Sequence, residues 1–359
     1  MESAMVVLYP SPGIGHLVSM VELGKFIHTH HPSLCVTIFI IPAPYETGST
    51  DKYIAKVSTT HPSITFHHLP TISIPPDFIS DHIKLSFGIP ELYNPIVHNA
   101  LASFSEKSTI KAVILDFFSN AAFEVAKSLK LPTYYFYTGG ASGLCVFLHL
   151  PTIHNTTDKS IKDLNTYFDL PGDQLKEIAF GLEKSGQKFL WVVRDPPSDD
   201  KNEPNSSGKE FRLNDILPEG FLARTSDKGL VVKNWAPQPA ILSHVSVGGF
   251  VSHCGWNSTL EAVVAGVPMV AWPLYAEQSM NRVYSAQEIK VALAVKMTPD
   301  GFVTSEALAQ TVRELMEGDE GRAAREQSLE MSRRAKAAME NGGSSQAELF
   351  KLAESWTTM

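Results

Sequence analysis

The sequence predicts an α/β fold made of two doubly wound domains, each with a parallel sheet covered by helices on both faces. In the first half, short apolar runs alternate with segments that have helical spacing, and the second half repeats this alternation. Continuously apolar strands are typical of parallel sheets that are buried on both faces. A chain of 359 residues is also longer than one hydrophobic core usually holds.

Each predicted element follows from its own segment. In the first half we expect strands at Met5 to Tyr9, Val36 to Ile41, Ile110 to Leu115 and Thr133 to Tyr137, and helices at Leu17 to His30 and Ala121 to Leu129. In the second half we expect a helix at Asp173 to Lys184, strands at Phe189 to Val193, Gly229 to Lys233, Gly248 to Ser252 and Pro268 to Ala271, and helices from Ser305 onward. The polar residues from Asp195 to Lys209 predict a surface loop. The two domains are therefore predicted to span 1–172 and 173–359.

Composition and charge exclude several classes of protein. The net charge of -8, with scattered basic residues, argues against a nucleic-acid partner. Cys35, Cys145 and Cys254 are too few and too far apart for a disulfide framework or a zinc site. The N-terminal residues lack the features of a signal peptide, and no apolar run is long enough to span a membrane. We expect a cytoplasmic monomer without integral membrane contact.

Chemistry-bearing residues of the first half follow predicted strands. The segment from Ser11 to His16, Asp116 and Thr138 all fall at carboxyl ends, where parallel sheets bind ligands, so we expect them to share one site. A histidine has a pKa near neutrality and can act as a general base. Asp116 can orient that imidazole, as in a catalytic triad. The alternative is that Asp116 only caps the helix predicted to begin near Ser119.

The segment from Trp235 to Gln278 has the pattern of a nucleotide-diphosphate site. The predicted strand Gly248 to Ser252 runs into a glycine turn at Gly255, after which a helix begins. A helix N-terminus offers backbone N–H groups and a partial positive charge to phosphate.

This segment of 44 residues resembles, nearly position for position, the signature box of plant secondary-product UDP-glycosyltransferases. Pro10 to His16 and Val113 to Phe117 resemble the catalytic segments of the same family. The resemblance implies two Rossmann-like domains that face each other across a cleft, the GT-B arrangement. It also implies that 1–172 binds the acceptor and 173–359 binds the UDP-sugar.

The activity implied by the resemblance is an inverting transfer of glucose from UDP-glucose to a hydroxyl of a phenolic small molecule such as a flavonoid. His16 would be the general base, assisted by Asp116, and no metal or other cofactor would take part. The implied donor site has Trp235 on the uracil, Gln238 and Glu261 at the ribose, and His253, Asn257 and Ser258 at the diphosphate. Trp256, Glu277, Gln278 and Thr138 would lie around the sugar, and Ala236 and Gly255 would complete the site.

Two of these assignments have plain structural alternatives, and two residues bear on donor choice. Trp235 can be a buried aromatic at a strand end, and Ser258-x-x-Glu261 has the form of a capping box.

An indole at Trp256 cannot pair with a sugar carboxylate, which favours UDP-glucose over UDP-glucuronate. Gln278 is the residue that the family uses most often with glucose.

One departure from the family is visible in the sequence. A doubly wound domain normally opens with a strand, yet the second domain opens with a helix, and a block of roughly a hundred residues is missing between Gly172 and Asp173. The missing block would leave a sheet edge uncovered. A second hypothesis is therefore a shortened, catalytically impaired relative that only binds a nucleotide sugar or a partner. A dehydrogenase is disfavoured because Gly13-Ile14-Gly15 lacks the third glycine of a dinucleotide fingerprint.

Overall fold

The computed structural model describes residues 3–42, 49–75, 78, 84–156, 172–193 and 212–357. Two compact units are present, unit 1 (1–138 and 339–359) and unit 2 (139–338). Every strand pairing among the described residues is parallel. The predicted α/β class is therefore confirmed. The predicted loop at 195–209 lies outside the described residues.

Unit 1 contains a five-stranded sheet in the order β3-β2-β1-β4-β5. Its strands are β1 (Ser3–Tyr9), β2 (Cys35–Ile40), β3 (Ile64–His68), β4 (Ser108–Asp116) and β5 (Thr133–Phe136). The first strand is central, and it packs on both faces. Val6 and Leu8 enter one core cluster, whereas Val7 and Tyr9 enter the other. This alternation is the period of two that a strand buried on both sides requires.

The helices of unit 1 cover this sheet. They are α1 (Ile14–His30), α2 (Ser49–Thr60), α3 (Ile89–Leu92), α4 (Asn94–Ser105) and α5 (Ala122–Ser128). The N-cap of α1 is Gly13, whose φ of 122° is accessible to glycine and strained for other residues. The chain can therefore turn sharply from β1 into α1, which places the first turn of this helix beside the carboxyl end of the sheet.

Unit 2 contains two separate parallel sheets. Its strands are β6 (Phe189–Val193), β7 (Gly229–Lys233), β8 (Phe250–Ser252), β9 (Met269–Ala271) and β10 (Ala292–Ala294). One sheet is two-stranded, β6-β7, and the other is three-stranded, β10-β9-β8. Its helices are α6 (Ala141–Thr156), α7 (Gly172–Ser185), α8 (Leu213–Ile216), α9 (Phe221–Arg224), α10 (Gln238–Leu242), α11 (Trp256–Ala265), α12 (Gln278–Val283), α13 (Ser305–Glu317) and α14 (Asp319–Met339).

The strands described in unit 2 form two sheets where a doubly wound domain has one. In unit 1, β1 joins β2 to β4, but among the described residues of unit 2 no strand joins β6 to β8. Apolar side chains on these strands are exposed, with Leu190 at 42%, Leu230 at 57% and Val251 at 40%. The expectation of a sheet edge left without a pairing strand stays a prediction.

The chain ends in α15 (Ser344–Thr357), which packs in unit 1. Ala353 and Trp356 are fully buried in the core cluster that also contains Val6 and Leu8. The two compact units thus differ from the predicted domains at two places: 139–172 belongs to unit 2, and 339–359 belongs to unit 1. The functional division at 172 stays a prediction. Within the described part of the chain, none of the helices has the length and apolar content needed to cross a bilayer.

Candidate active site

His16 and Asp116 are brought together at the carboxyl end of the sheet in unit 1. His16 lies in the first turn of α1, and Asp116 is the last residue of β4. The Nδ1 atom of His16 is 2.9 Å from Oδ2 of Asp116, which is fully buried, while the imidazole is 28% exposed. A carboxylate only accepts hydrogen bonds, so this contact places the hydrogen on Nδ1 and leaves Nε2 able to accept a proton.

Asp116 carries both of the roles between which the sequence could not decide. Its Oδ1 accepts a hydrogen bond from the N–H of Phe118 at 3.2 Å and so caps the short helical turn Phe117–Ser119. The same oxygen accepts a 2.6 Å hydrogen bond from the hydroxyl of Ser11. Oδ2 faces His16. Each oxygen therefore has its own function, and capping does not compete with the contact to the imidazole.

Thr138 lies closer to His16 than the sequence indicated. Its Oγ1 is 3.2 Å from Nδ1 of His16, a second and longer contact at the nitrogen that faces Asp116. A role for Thr138 beside the sugar stays a prediction. Ser11 belongs to the segment expected at this site, and it is buried in contact with both Asp116 and Ser119. These two contacts were not predicted, because no sequence pattern connects a serine in a proline-rich turn with a distant carboxylate.

An aromatic cluster of unit 1 extends from the imidazole. The ring of Phe118 is 5.4 Å from that of His16, and Phe87 packs edge-on against Phe118 at 4.9 Å. Phe117 contacts Phe118 at 5.5 Å and Tyr137 at 5.6 Å. Edge-to-face packing of this kind builds an apolar wall that suits a planar ring.

In unit 2, the turn that follows β8 leads into α11. Cys254 has a φ of 65°, in the left-handed region, which costs a non-glycine residue about 1–2 kcal/mol. Gly255 is the N-cap of α11, and no side chain caps this helix. The capping-box interpretation of Ser258 and Glu261 is therefore wrong: α11 begins at Trp256, so Ser258 is already inside its first turn.

Ser258 and Glu261 instead converge on Gln238. The Nε2 amide of Gln238 donates to Oγ of Ser258 at 3.0 Å and to Oε2 of Glu261 at 2.7 Å. Gln238 begins α10, and the carbonyl of Ala236 accepts its backbone N–H at 2.8 Å. Three residues predicted to bind the nucleotide are thus joined in one hydrogen-bonded group, with the Gln238 carbonyl and a Glu261 carboxylate oxygen available to hydroxyl groups.

Trp235 is 71% exposed, so its interpretation as a buried aromatic is wrong. An indole of this exposure offers a flat face to a ligand. The imidazole of His253 lies directly over Gly255, because a Cβ at that position would be 2.4 Å from Nε2 of His253. A side chain at position 255 would therefore displace the imidazole of His253 from its place beside the start of α11, where Asn257 lies in the first turn.

The residues predicted around the sugar have distinct environments. The indole of Trp256 packs against the backbone of Gly140, where an added Cβ would be 3.1 Å from the ring, and lies 6.0 Å from the ring of Tyr284. Gln278 is 3% exposed, and its Oε1 accepts the N–H groups of Leu274 and Tyr275. Any contact between Gln278 and a sugar therefore falls to its Nε2 amide.

Cys254 is a structural thiol. It is 2% exposed, and burial raises the pKa of its thiol to about 12. A thiol that stays protonated is a poor nucleophile and a poor metal ligand, so Cys254 contributes shape and packing to the turn.

Comparison with known proteins decides the family. A family model described as UDP-glucoronosyl and UDP-glucosyl transferase matches residues 166–333. UDP-glycosyltransferase 88B1 of Stevia rebaudiana is 53% identical over 469 aligned residues, which cover 99% of this chain and 100% of the relative. The chain belongs to the family 1 plant UDP-glycosyltransferases. The expected resemblance is confirmed.

Further relatives of this UDP-glycosyltransferase agree. Anthocyanidin 5,3-O-glucosyltransferase of a Rosa hybrid cultivar is 39% identical, over 98% of each chain. The structure of Phytolacca americana UGT2 complexed with UDP-2fluoro-glucose and pterostilbene is 28% identical, covers 99% of this chain and 100% of that one, and has a TM-score of 0.84. This likeness confirms the GT-B type of fold.

The UDP-glycosyltransferase is shorter than its relatives. The alignment with the Stevia protein has 469 positions against 359 residues here, a difference of 110. Since the alignment covers nearly all of both chains, the extra positions fall inside this sequence, as expected for a missing internal segment. The position predicted for the gap, between Gly172 and Asp173, adjoins residues 157–171, which lie outside the described ones.

Proposed function

We propose that this UDP-glycosyltransferase transfers glucose from UDP-glucose to a hydroxyl of a phenolic small molecule such as a flavonoid, with inversion at C1. Residues 1–172 bind the acceptor and residues 173–359 bind the donor. The observation that carries the proposal is the 2.9 Å contact between Nδ1 of His16 and Oδ2 of Asp116. It supports an imidazole whose Nδ1 hydrogen is held by the carboxylate, so that Nε2 is the nitrogen that can accept a proton.

The reaction follows from this arrangement. Nε2 of His16 takes the proton of the acceptor hydroxyl while its oxygen attacks C1 of the glucose. The bond between C1 and the phosphate oxygen breaks on the opposite face, so the configuration inverts and UDP leaves. Asp116 stabilises the imidazolium that forms, and it is already held by Ser11 and Phe118.

A phenolic acceptor is supported by the aromatic cluster next to the base. Phe87, Phe117, Phe118 and Tyr137 present ring faces and edges within a few ångströms of one another, beginning 5.4 Å from His16. The Rosa relative is named as an anthocyanidin glucosyltransferase, and the Phytolacca relative was crystallised with pterostilbene. Both of these compounds are aromatic. A flat aromatic ring suits such a wall, and its hydroxyl is acidic enough to be activated by an imidazole.

The donor side is supported by the group around α11. Trp235 offers an exposed ring for the uracil, and Gln238 and Glu261 offer an amide carbonyl and a carboxylate to the ribose. His253, Asn257 and Ser258 surround the start of α11, whose N–H groups favour a diphosphate. The leaving group is thus stabilised without a metal. Glu277 and Gln278 serve the hydroxyls of glucose, and Trp256 leaves no partner for a glucuronate carboxylate.

The second candidate function is nucleotide-sugar binding without turnover, and the divided sheet of unit 2 favours it. β6 and β8 lie in separate sheets, and no strand in the described part of unit 2 joins them. A loosely held donor can bind yet fail to reach the geometry that transfer requires, since small displacements at a reacting centre cost large factors in rate. We expect a cytoplasmic monomer in either case.

A matched pair of histidine variants tests the proposal. UDP-glucose is incubated with a panel of phenols, and glucoside formation is followed by chromatography for the wild type, His16→Ala and His61→Ala. His61 is a suitable control because its Nδ1 also takes part in a hydrogen bond, with Oγ1 of Thr60 at 2.9 Å. It precedes β3 and so lies at the amino ends of the parallel strands, opposite to the carboxyl ends where His16 lies. We expect His16→Ala to lose about 10²–10⁴-fold in rate and His61→Ala to keep it. UDP binding with no glucoside from any phenol would instead support the second candidate.

A further inference from the structure

Asn281 is a fully buried polar residue that no part of the proposed mechanism uses. It lies in α12 and is 0% exposed. Its Nδ2 amide donates to the backbone carbonyl of Cys254 at 2.9 Å and makes a longer contact, 3.4 Å, with Oε1 of Glu277. Its Oδ1 is buried and has no hydrogen-bond partner among the described residues. A buried amide that is only half satisfied calls for an explanation.

The group that Asn281 holds is the strained residue of the diphosphate turn. Cys254 has a φ of 65°, which an L-residue keeps only if its surroundings fix it. Its N–H donates to Oγ of Ser252 at 3.1 Å, and its carbonyl accepts from Asn281. Both backbone polar groups of Cys254 are therefore fixed by side chains, one of which comes from α12, 27 residues further along the chain.

The direction of the Cys254 carbonyl decides where the next residues point. Gly255 is the N-cap of α11, so a rotation about Cys254 would turn the first N–H groups of α11 away from a bound diphosphate. The two hydrogens of one amide group serve two acceptors, the Cys254 carbonyl and the carboxylate of Glu277. A single side chain thus connects the turn beside the diphosphate with a residue proposed to bind the sugar.

We propose that Asn281 is a positioning residue for the donor: it holds Cys254 in the left-handed conformation and thereby aims the N-terminus of α11 at the diphosphate. This inference rests on the proposed function, because it concerns the same donor site. It assigns Asn281 a part in UDP recognition although its side chain is inaccessible to the ligand.

The test compares ligands that differ in the diphosphate. Asn281→Leu keeps the number and branching of the side-chain heavy atoms and removes the donor. Asn281→Ala removes the same donor and introduces no larger apolar side chain into the buried space. It is therefore the variant to compare with the wild type if Asn281→Leu does not fold. UDP affinity is measured by titration calorimetry and the weaker uridine affinity by ligand-observed NMR. We expect UDP affinity to fall about tenfold or more while uridine affinity changes less than about twofold.

A rescue experiment separates positioning from general destabilisation. Glycine adopts a positive φ without strain, so Cys254→Gly combined with Asn281→Leu is expected to recover most of the lost UDP affinity. Cys254→Ala combined with Asn281→Leu is the matched control, because it removes the same sulfur but keeps the side chain that makes the conformation unfavourable. This second combination is expected to stay weak.

Asn94 provides a control for the loss of a buried amide. Its Nδ2 donates to the carbonyl of Ala121 at 3.1 Å, and its Oδ1 is likewise buried without a partner among the residues described, but it lies in unit 1. Asn94→Leu is expected to leave UDP affinity unchanged.

Each outcome decides the proposal. Unchanged UDP affinity in the Asn281 variants would overturn it, and so would an equal loss of UDP and uridine affinity that glycine at position 254 does not repair. A wild-type chain that binds no UDP would overturn the proposed function itself, and this inference with it. A loss of affinity in Asn281→Leu that is selective for UDP, and that Cys254→Gly repairs while Cys254→Ala does not, supports the inference.

Discussion

Nδ1 of His16 and Oδ2 of Asp116 are 2.9 Å apart, although 100 positions separate the two residues in the sequence. Their proximity follows from the sheet order, in which β1 and β4 are adjacent and parallel. Both chain segments leave the sheet at the same edge, so a residue in the turn after β1 meets the last residue of β4. The proposed base and its orienting carboxylate are thus placed by the topology of unit 1 alone.

Asp116→Asn tests whether the carboxylate fixes the tautomer of His16. An asparagine amide can donate to Nδ1 and so move the imidazole hydrogen to Nε2, where it blocks proton acceptance. We expect kcat to fall about 10²-fold or more while UDP affinity is unchanged. The measurement is steady-state kinetics with calorimetric titration of UDP. A variant with wild-type turnover would leave Asp116 with helix capping as its only function.

Ser11→Ala tests the hydroxyl that holds the other oxygen of Asp116. The 2.6 Å hydrogen bond from Ser11 is lost, and a buried carboxylate oxygen keeps only the N–H of Phe118. We expect the free energy of unfolding to fall by about 1–3 kcal/mol and kcat to fall several-fold. Ser11→Cys keeps a weak donor, so its stability and its kcat should lie between those of the wild type and those of Ser11→Ala. The contrary result is a stable Ser11→Ala chain with unchanged kcat.

The Asp116 network also shows what the sequence could and could not predict. The strands β1, β4 and β5 are apolar runs, so the positions of His16, Asp116 and Thr138 at their ends could be predicted. The strand β3 mixes polar and apolar residues and β10 has three residues, so neither produces a recognisable pattern. Hydrogen bonds between distant segments, such as those made by Ser11, have no signal in a single sequence.

Local sequence patterns also gave a wrong prediction where they depended on the exact residue at which a helix begins. The Ser258-x-x-Glu261 pattern predicts a cap only if the helix begins after Ser258, and it begins at Trp256 instead. The amphipathic pattern of α15 indicates a buried face without saying what covers it, and its Trp356 is buried in unit 1. Asn281 was overlooked because a buried amide on a short helix resembles any surface asparagine in the sequence.

Trp256→Arg tests donor choice. The wild type is expected to prefer UDP-glucose, and the variant to narrow or reverse this preference because a guanidinium pairs with the carboxylate of UDP-glucuronate. A change of about tenfold in the ratio of kcat/KM values corresponds to about 1.4 kcal/mol. Trp256→Leu is the control that removes the indole without adding charge. Preference of the wild type for the glucuronate donor would refute the role given to Trp256.

Metal removal tests how the leaving diphosphate is stabilised. The N-terminus of α11 supplies N–H groups and positive partial charge, so we expect glucoside formation to be unchanged after dialysis against a chelator. Initial rates before and after dialysis check this. Activity that disappears and returns with added magnesium would assign the diphosphate to a cation.

Restoring the missing segment tests the divided sheet of unit 2. Insertion of the corresponding residues of the Stevia relative between Gly172 and Asp173 should supply a strand that pairs with both β6 and β8. It should also cover Leu190 and Val251, at about 25 cal/mol for each Å² of apolar surface removed from water. We expect a higher Tm, less self-association in sedimentation and faster turnover. An unmodified chain that unfolds cooperatively as a monomer and glucosylates phenols at the rate of the repaired chain would contradict this.

The configuration of the product tests the central claim most directly. Proton NMR of the glucoside formed from UDP-glucose and a phenol distinguishes the two anomers by the coupling between the hydrogens at C1 and C2. Because the acceptor oxygen activated by His16 attacks C1 opposite the departing UDP, we predict a β-glucoside alone, formed by the wild type and lost in His16→Ala. Retention of the donor's α configuration, or the same β-glucoside at an unchanged rate from His16→Ala, would contradict the account.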